Sequence, residues 1–341
     1  MQTPRQILEG LLARRDLTAP QAGELLQLLI QPELAPAVAG ALLTALRTKG
    51  VTADEVRGLA AAMRALARRP QLPDALDAID LVGTGGDASG SLNLSTGAAL
   101  LTAAAGCPVV KHGNRSISSR SGSADMIEQL GLKLPLDEEA AARCFEANGF
   151  TFLFAPYYHP AMKSLAAIRT ALGIRTVFNL LGPLTNPAAP RFHLIGAYDA
   201  ETAELIAATL CGTDIARALV VHGAAGWDEA TPIGAFLAFD VTPGKVRSLQ
   251  IDPADLGLAR CTAADLAGGD CAVNAAALLA VFQRRDHGPH LDAICLQAGL
   301  ALYVAGRAAT IGAGIDLARG TVASGQAQDW LLGLQQWARD R

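Results

Sequence analysis

The sequence has few aromatic residues and no long apolar run. Aromatic side chains make up 5% of the 341 residues, whereas 51% are hydrophobic, a composition typical of a closely packed, aliphatic, helix-rich protein. No apolar run reaches the length that crosses a bilayer. Residues 1–15 are charged and amphipathic, without the apolar core of a secretory signal. We therefore expect a cytoplasmic protein that has no membrane partner.

A surplus of positive charge is also missing. The chain carries 28 Lys and Arg against 32 Asp and Glu, a formal net charge of −4, which argues against a general nucleic-acid-binding protein. No two cysteines form a Cys-x-x-Cys pair, and we predict that all six are reduced thiols inside the fold. These are Cys107, Cys144, Cys211, Cys261, Cys271 and Cys295.

The first seventy residues have helical periodicity. Capping boxes of the Thr-x-x-Gln and Thr-x-x-Glu type at Thr18 and Thr52 predict the starts of two helices. Gly50 is expected to end the helix between them, which spans about residues 35–49. The polar, proline-flanked residues 70–73 are a candidate linker.

From residue 79 onward, short apolar runs alternate with helical stretches, which indicates an α/β domain. Two further runs, joined by a Thr-Pro-Gly turn, predict a hairpin at residues 235–241 and 246–251. After Cys271 the pattern is helical again. The strand-like runs before the hairpin are residues 79–82, 109–110, 151–155, 194–198 and 218–221.

Glycine-rich and hydroxyl-rich patches are concentrated between residues 80 and 130. A glycine loop at residues 83–87 follows a predicted strand, and a helix-prone run at 97–105 comes after it. Loop N–H groups can approach an anion closely, and a helix N-terminus adds its positive dipole end. A second strand-like run delivers Lys111 and Arg115 to the same place. This pattern predicts a site for a small phosphorylated ligand.

The motifs in this region resemble those of the anthranilate phosphoribosyltransferase family, and the resemblance extends over essentially the full chain. It rests on GTGGD at 83–87, SLNLST at 91–96, KHGNR at 111–115, SSRSGSAD at 118–125, HPAMK at 159–163, LGIRT at 172–176, FNLLGPLTNP at 178–187, VVHG at 220–223 and Asp-Glu at 228–229.

The resemblance implies an α/β fold class, with a small all-helical N-terminal domain and a large α/β domain whose central mixed sheet is flanked by helices. The helical domain would comprise residues 1–72 and a returning segment at about 162–187. Residues 73–161 and 188–341 would form the large domain, which binds phosphoribosyl pyrophosphate. The active site would lie in the cleft between the domains, and a homodimer would form through the helical domain.

The family reaction transfers the phosphoribosyl group of 5-phosphoribosyl 1-pyrophosphate to the amine of anthranilate, the second step of tryptophan biosynthesis from chorismate. The resemblance therefore implies these two small-molecule substrates and Mg²⁺ as cofactor. Because the aromatic amine is neutral near pH 7, no strong general base is required, and we assign no catalytic base. Asp87 would repel a bare phosphate, so it is expected to bond loop amides, a ribose hydroxyl or a metal-bound water.

The site residues carried over from the family motifs fall into three groups. The phosphoribosyl pyrophosphate group is Gly83, Gly85, Gly86, Asp87, Ser91, Asn93, Ser95, Thr96, Lys111, Arg115, Ser118, Ser119 and Ser123. The anthranilate group is Gly83, His112, Asn114, Tyr158 and Arg169. The metal group is Ser95, Asp228 and Glu229.

Each assignment has a plainer alternative in the residues themselves. Ser95 or Thr96 is also expected to cap the following helix, and His112 could serve a purely structural hydrogen bond. An isolated Asp-Glu pair is commonly a solvated turn, although carboxylates beside a phosphate site suit Mg²⁺. An arginine fork such as that of Arg169 matches a planar carboxylate. Ser91 and Leu92 stand where the family pattern has Thr and Phe, which leaves packing there open.

Two other functions share features with this sequence. A pyrimidine nucleoside phosphorylase has the same fold and a looser lysine–serine phosphate site, but it has no need for the paired carboxylates Asp228 and Glu229. A non-catalytic, nucleic-acid-binding relative is expected to have a basic groove and to lack the anthranilate positions. Asn114, Arg169 and the negative net charge argue against that alternative.

Overall fold

The computed structural model describes residues 2–74, 76–115 and 120–341. In this part of the chain, helices and strands follow one another in a helical first quarter, an α/β middle and a helical last quarter. The helices are α1 Pro4–Leu12, α2 Ala19–Leu29, α3 Pro36–Lys49, α4 Ala53–Ala65, α5 Leu94–Ala104, α6 Ser123–Gln129, α7 Glu138–Asn148, α8 Ala155–Tyr158, α9 Lys163–Leu172, α10 Phe178–Leu181, α11 Ala200–Cys211, α12 Cys271–Phe282, α13 Pro289–Val304, α14 Ile311–Ala323 and α15 Gln326–Asp340.

The starts and ends of the first helices confirm the cap signals. The hydroxyls of Thr18 and Thr52 accept hydrogen bonds from the N–H groups three residues on, and both capping boxes are closed. Thr3 begins α1 in the same way. Gly50 ends α3 with a φ of +90°, a backbone conformation that costs glycine little.

The central sheet has seven strands in the order β3-β2-β1-β4-β5-β6-β7. The first five are mutually parallel, and β6 and β7 are antiparallel, so the sheet is mixed and the predicted hairpin is confirmed. The strands are β1 Ile79–Gly83, β2 Val109–Gly113, β3 Phe150–Phe154, β4 Phe192–Gly196, β5 Arg217–His222, β6 Phe236–Thr242 and β7 Lys245–Ile251.

Two strands differ from the sequence prediction by more than one residue at an end. Strand β2 continues past its apolar residues through Lys111 and His112, because both pair in register with β3. Strand β4 begins at Phe192 and ends at Gly196, two residues before the predicted end, and its register with β1 and β5 accounts for the shift. Backbone pairing, rather than side-chain polarity, decides both boundaries.

Two hydrophobic cores lie on opposite sides of the sheet. One packs α5, α13 and the C-terminal helices against one face. The other joins α1–α4 to α11 and the opposite face, and it includes apolar side chains from Leu165 to Leu184. These residues pack with the first four helices, as expected for a returning segment. The domain boundaries at 72 and about 162–187 stay a prediction. Within the described ranges, no helix is both long and apolar enough to cross a membrane.

Candidate active site

The glycine loop that follows β1 lies at the edge of the sheet where the parallel strands end. Gly85 and Gly86 have φ angles of +68° and +77°, a region that favours glycine. Helix α5 then begins with Asn93 at the N-cap position, and Asn93 makes no side-chain capping bond. Ser95 and Thr96 lie within the first turn, so the prediction that one of them caps the helix is wrong. The helix simply begins two residues earlier than that prediction assumed.

Two glycines make room for Asp228 at this edge. Gly83 and Gly196 are paired in register at the ends of β1 and β4. A Cβ on Gly83 would lie 2.3 Å from Asp228 Oδ2, and one on Gly196 would lie 1.5 Å from the Asp228 carbonyl oxygen. The loop after β5 therefore crosses the end of β4 and reaches the glycine loop because neither position carries a side chain.

Three carboxylates are brought together by these loops. Asp228 Oδ2 accepts a hydrogen bond from the Gly85 N–H at 2.6 Å, and Asp87 accepts one from the Asp228 N–H at 3.3 Å. Glu229 Oε1 accepts a bond from the Ser95 N–H at 3.1 Å, at the start of α5. The carboxyl groups of Asp87, Asp228 and Glu229 thus lie close to the N-terminus of α5, where the sequence predicts a phosphate site.

Burial makes this cluster costly to ionise. Desolvation first, and the nearby Asp87 carboxylate second, raise the pKa of Asp228 to about 7. Desolvation and then the Asp228 charge raise the pKa of Glu229 well above its usual range. A cation placed among these groups would relieve both effects.

The donor set fits a hard divalent cation. Glu229 Oε2 is buried and has no hydrogen-bond partner among the described residues. Two carboxylates and the Ser95 hydroxyl offer the oxygen ligands that Mg²⁺ prefers. No group of three or more His, Cys, Asp or Glu in the described ranges is already arranged around a metal position. Instead, Asp228 and Glu229 are engaged with the amides of Gly85 and Ser95.

Lys111 lies beneath the loop rather than in open solvent. Its side chain is 2% exposed, and its ammonium donates to the Leu81 carbonyl and, at 3.4 Å, to Ser95 Oγ. Burial lowers the pKa of Lys111, while the charges of Asp80, Glu229 and Asp228 act in the opposite direction. The lysine therefore supplies positive charge from below the start of α5, through Ser95.

A buried amide network supports the start of α5. Asn93 Nδ2 donates to the Ser121 carbonyl, and Asn93 Oδ1 accepts from Ser121 Oγ at 3.0 Å and from Asn274 Nδ2 at 2.8 Å. Asn274, on α12, is 1% exposed. Sequence reasoning missed Asn274, and the only signal for it was a polar residue inside an otherwise apolar helix. Ser91 pairs with Ala267 in an isolated bridge at the same place.

The KHGNR segment continues from β2 into an exposed turn. The Arg115 guanidinium forms ion pairs with Asp125 at 2.8 Å and Glu128 at 2.6 Å, so its charge is already balanced there. Ser123 Oγ donates to the Asn114 carbonyl at 3.2 Å. Arg115 is thus directed toward α6 in this arrangement. Ser118 and Ser119, which were also assigned to the phosphate site, lie outside the described residues.

His112 and His159 form an edge-to-face pair with ring centroids 5.1 Å apart. His112 Nδ1 donates to the Gly182 carbonyl at 3.3 Å, and His159 Nε2 donates to the Thr185 carbonyl at 3.0 Å. Desolvation, reinforced by His159, lowers the pKa of His112 to about 3, and desolvation lowers that of His159 to about 4. Both rings are therefore neutral near pH 7.

Tyr158 and Thr96, both predicted site residues, are fully buried. The Tyr158 hydroxyl donates to the Leu136 carbonyl at 3.0 Å, and Thr96 Oγ1, inside α5, has no hydrogen-bond partner among the described residues. Lys111 and His112 are buried to a similar degree, so burial alone does not decide either assignment. Both stay predictions.

Arg169, on α9, is half-buried beside the Phe178 ring, with the guanidinium carbon 5.6 Å from the ring centroid. Burial lowers the pKa of Arg169, although not enough to discharge a guanidinium. Arg169 thus lies in the segment that packs with the first four helices, and its place in the anthranilate site stays a prediction.

Comparisons with known proteins agree with this architecture. The model of the glycosyl transferase family a/b domain matches residues 75–328, and that of the family's helical bundle domain matches residues 5–67. An anthranilate phosphoribosyltransferase from Rubrobacter xylanophilus is 43% identical over 335 residues, which are 98% of this chain and 96% of the relative.

Solved structures give the same result. Anthranilate phosphoribosyltransferase from Thermus thermophilus superposes with a TM-score of 0.91 at 39% identity, covering 98% of this chain and 99% of that one. The Saccharomyces cerevisiae enzyme in complex with PRPP and Mg has a TM-score of 0.89 at 26% identity, covering 99% and 98%. The chain therefore has the two-part fold of a glycosyl transferase. More narrowly, it belongs to the anthranilate phosphoribosyltransferase family.

Proposed function

We propose that this protein transfers the phosphoribosyl group of 5-phosphoribosyl 1-pyrophosphate to the amine of anthranilate, with release of pyrophosphate. The observation that carries the proposal is the meeting of three features at one sheet edge. These are the glycine loop after β1, the start of α5 and the Asp228–Glu229 loop after β5. The N–H groups of Gly85 and Ser95, which here donate to Asp228 and Glu229, would turn to the phosphates once a cation takes up the two carboxylates.

The chemistry requires little from the protein beyond positioning and charge. The amine nitrogen forms a bond to the anomeric carbon, while the bond from that carbon to the pyrophosphate oxygen breaks with its electron pair. The resulting ammonium then releases a proton to water. Gly85, Gly86 and the start of α5 would hold the phosphate oxygens, and Lys111 would add positive charge from below. No general base is needed, since the attacking amine is already neutral.

Magnesium is part of the proposal. Asp228, Glu229 and Ser95 would hold the ion, with Asp87 beside them, and the ion would neutralise charge on the departing pyrophosphate. The cluster's raised pKa values and the unpartnered Glu229 oxygen support this assignment. The related yeast enzyme has been solved in complex with PRPP and Mg.

The anthranilate side of the site rests on Arg169, with Gly83, His112 and Asn114 as candidate neighbours. A guanidinium in partial burial offers a forked donor to a planar carboxylate. Because the neutral His112 donates through Nδ1 to Gly182, its Nε2, which is buried without a partner among the described residues, would accept one hydrogen bond, for example from the anthranilate amine. Tyr158 remains a candidate wall of the anthranilate site, and its hydroxyl donates to the Leu136 carbonyl.

A fluorescence assay tests the function. Anthranilate should be consumed by the purified protein only when 5-phosphoribosyl 1-pyrophosphate and Mg²⁺ are both present. Incubation of a pyrimidine nucleoside with inorganic phosphate is the rival reaction. Conversion of the nucleoside without consumption of anthranilate would favour the phosphorylase, whereas retention on heparin with neither activity would favour the nucleic-acid-binding relative.

We also propose a cytoplasmic homodimer formed through the helical part. Helices α1 and α3 border a groove whose wall includes Leu8, Ala41 and Ala45, and Leu12 at its rim is 63% exposed. A second copy of the chain would cover this apolar surface. In sedimentation, Leu12→Glu should dissociate the dimer, whereas Leu332→Glu on α15 should not. An unchanged Leu12→Glu dimer would place the interface elsewhere.

A further inference from the structure

Arg175 contacts the glycine loop from the segment between α9 and α10. Its guanidinium Nη2 donates to the Gly86 carbonyl at 2.5 Å. On the other side of the same glycine pair, the Gly85 N–H donates to Asp228. The loop is therefore held at the two peptide groups that flank the Gly85–Gly86 peptide, by Asp228 on one side and Arg175 on the other.

The arginine is itself held by an aromatic ring. Its guanidinium carbon lies 3.8 Å from the centroid of Tyr198, the second residue after β4. The Tyr198 N–H donates to Thr84 Oγ1 at 3.2 Å, at the beginning of the same loop. These contacts thus form a closed ring that runs from Thr84 through Tyr198 and Arg175 to Gly86.

Few contacts fix the two glycines themselves, although Thr84 and Asp87 on either side of them are hydrogen-bonded to Gly196, Ser89 and Asp228. A Cβ on Gly85 would meet nothing within 4 Å, and a Cβ on Gly86 would meet only the Arg175 side chain. Both glycines are exposed and have positive φ angles. A glycine peptide in open space reorients at low cost, so the hydrogen bonds at Gly85 and Gly86 decide which way its N–H groups point.

Arginine suits this role better than lysine. Its planar, delocalised guanidinium can stack on Tyr198 with its face while its edge donates to a carbonyl oxygen. A lysine ammonium could reach the carbonyl, but it would lack the planar contact that keeps the side chain in place.

We propose that Arg175, stacked on Tyr198, is a positioning residue that orients the Gly85–Gly86 peptides of the phosphate-binding loop and ties them to the helical part of the molecule. The consequence for pyrophosphate binding rests on the proposed function. The effect on loop order does not, and it is present in the protein without ligands.

The experiment measures loop order and substrate binding separately. Hydrogen–deuterium exchange of the peptide that contains residues 83–90 is followed in the ligand-free protein for the wild type, Arg175→Ala, Arg175→Lys and Tyr198→Phe. Arg68→Ala is the matched control, because Arg68 also stacks on a tyrosine, Tyr157, at 4.5 Å. Michaelis constants for both substrates and thermal melting are measured on the same proteins.

We expect faster exchange at residues 83–90 in Arg175→Ala, an intermediate rate in Arg175→Lys, and wild-type rates in Tyr198→Phe and Arg68→Ala. Loss of one charged hydrogen bond should raise the Michaelis constant for 5-phosphoribosyl 1-pyrophosphate about tenfold. The constant for anthranilate, measured at saturating co-substrate, should change much less, and thermal melting should stay near that of the wild type.

Three outcomes would overturn the inference. Unchanged exchange in Arg175→Ala would show that the loop does not depend on this residue, whether or not the wild type turns over. A raised Michaelis constant with unchanged exchange would make Arg175 a direct ligand of pyrophosphate instead. An equal loss for both substrates with lower thermal stability would indicate a general structural role. A wild type without turnover would reject the proposed function, and the exchange result would still decide the role of Arg175.

Discussion

At the scale of single residues, Arg169 is the side chain whose removal should separate the two substrates. Arg169→Ala deletes a forked donor but leaves the glycine loop and α5 unchanged. Losing a charged hydrogen-bond partner costs roughly 1.5–3 kcal/mol, which is about ten- to a hundredfold in affinity. We expect the Michaelis constant for anthranilate to rise by this factor, as measured by steady-state kinetics with each substrate varied in turn.

The control for this variant is Arg143→Ala, which removes an exposed arginine paired with Glu139 on α7. It should leave both Michaelis constants unchanged. An equal rise for the two substrates in Arg169→Ala, or no change in either, would remove Arg169 from the anthranilate site.

The stability of the folded protein should depend on pH because of the His112–His159 pair. His112 and His159 have folded-state pKa values of about 3 and 4, below the ordinary 6.5. Their neutral forms favour folding, so this stability is fully present above pH 6.5 and is lost as the pH falls toward 4. Each group contributes at most about 1.4 kcal/mol per pH unit in that window. Urea unfolding at pH 7.5 and pH 5 measures the loss.

His159→Gln should lose less stability than the wild type between these two pH values, because glutamine does not take up a proton. The exposed His287→Gln is the control and should follow the wild type. A His159→Gln variant with the full wild-type loss would mean that His159 takes no part in the acid sensitivity.

At the scale of elements, the position of Asp228 depends on the glycine at the end of β4, Gly196. Gly196→Ala would place a Cβ 1.5 Å from the Asp228 carbonyl oxygen, so the loop after β5 must move. We expect turnover to fall at least tenfold, because misplaced site residues need raise the activation free energy by only about 1.4 kcal/mol for that loss. Steady-state kinetics at saturating substrates is the measurement.

Gly333→Ala serves as the comparison. Gly333 lies in α15 with open space around the position of a Cβ, and alanine favours a helix by about 1 kcal/mol over glycine. This variant should melt at a higher temperature with unchanged turnover. Wild-type turnover in Gly196→Ala would contradict the claim that the position of Asp228 requires glycine at residue 196.

The Asp228–Glu229 loop makes a second prediction at this scale. The folded-state pKa of Asp228, about 7, lies above its ordinary 3.8, so folding loses stability as the pH rises through 7 without a metal. Asp228→Asn with Glu229→Gln removes both charges at constant volume. At pH 8 the metal-free double variant should melt above the metal-free wild type, and its turnover should lose most of its dependence on magnesium.

Melting curves and magnesium titrations of turnover, run on both proteins, give the comparison. If the double variant keeps a wild-type magnesium profile and near-native turnover, the two carboxylates belong to an ordinary solvated turn.

Elements were the part of the fold most open to prediction from sequence. Apolar runs bounded by glycine marked the strands, and threonine boxes marked helix starts, because both signals are local. The continuation of β2 through Lys111 and His112 was missed because it depends on pairing with β3. The close approach of Asp228 to Gly196 and the hydrogen bond from Asn274 to Asn93 join segments that are far apart in the sequence. Local sequence patterns therefore did not predict them.

The site itself was predicted in part. The motif residues around Asp87, Ser95 and Asp228 do lie together. Motifs do not show how deeply a side chain is buried, and the full burial of Tyr158 and Thr96 was not predicted. The motif also did not show that Arg115 forms ion pairs with Asp125 and Glu128 of α6.

At the scale of the whole molecule, two hydrophobic cores share the sheet, and the helical core includes side chains from Leu165 to Leu184. This return of the chain brings Arg175 to the glycine loop, where it donates to the Gly86 carbonyl. Under the proposed function, the two substrates would be held by different parts of the molecule. Periodicity alone did not predict that crossing, which required the family resemblance.

The most direct test of the account is the number of pyrophosphate molecules released for each anthranilate consumed. Anthranilate fluorescence and a coupled pyrophosphate assay are followed in the same reaction, with and without Mg²⁺. The account predicts a ratio of one, dependent on both 5-phosphoribosyl 1-pyrophosphate and the metal, and no pyrophosphate without anthranilate. Release of pyrophosphate that is independent of anthranilate, or loss of anthranilate without pyrophosphate, would contradict it.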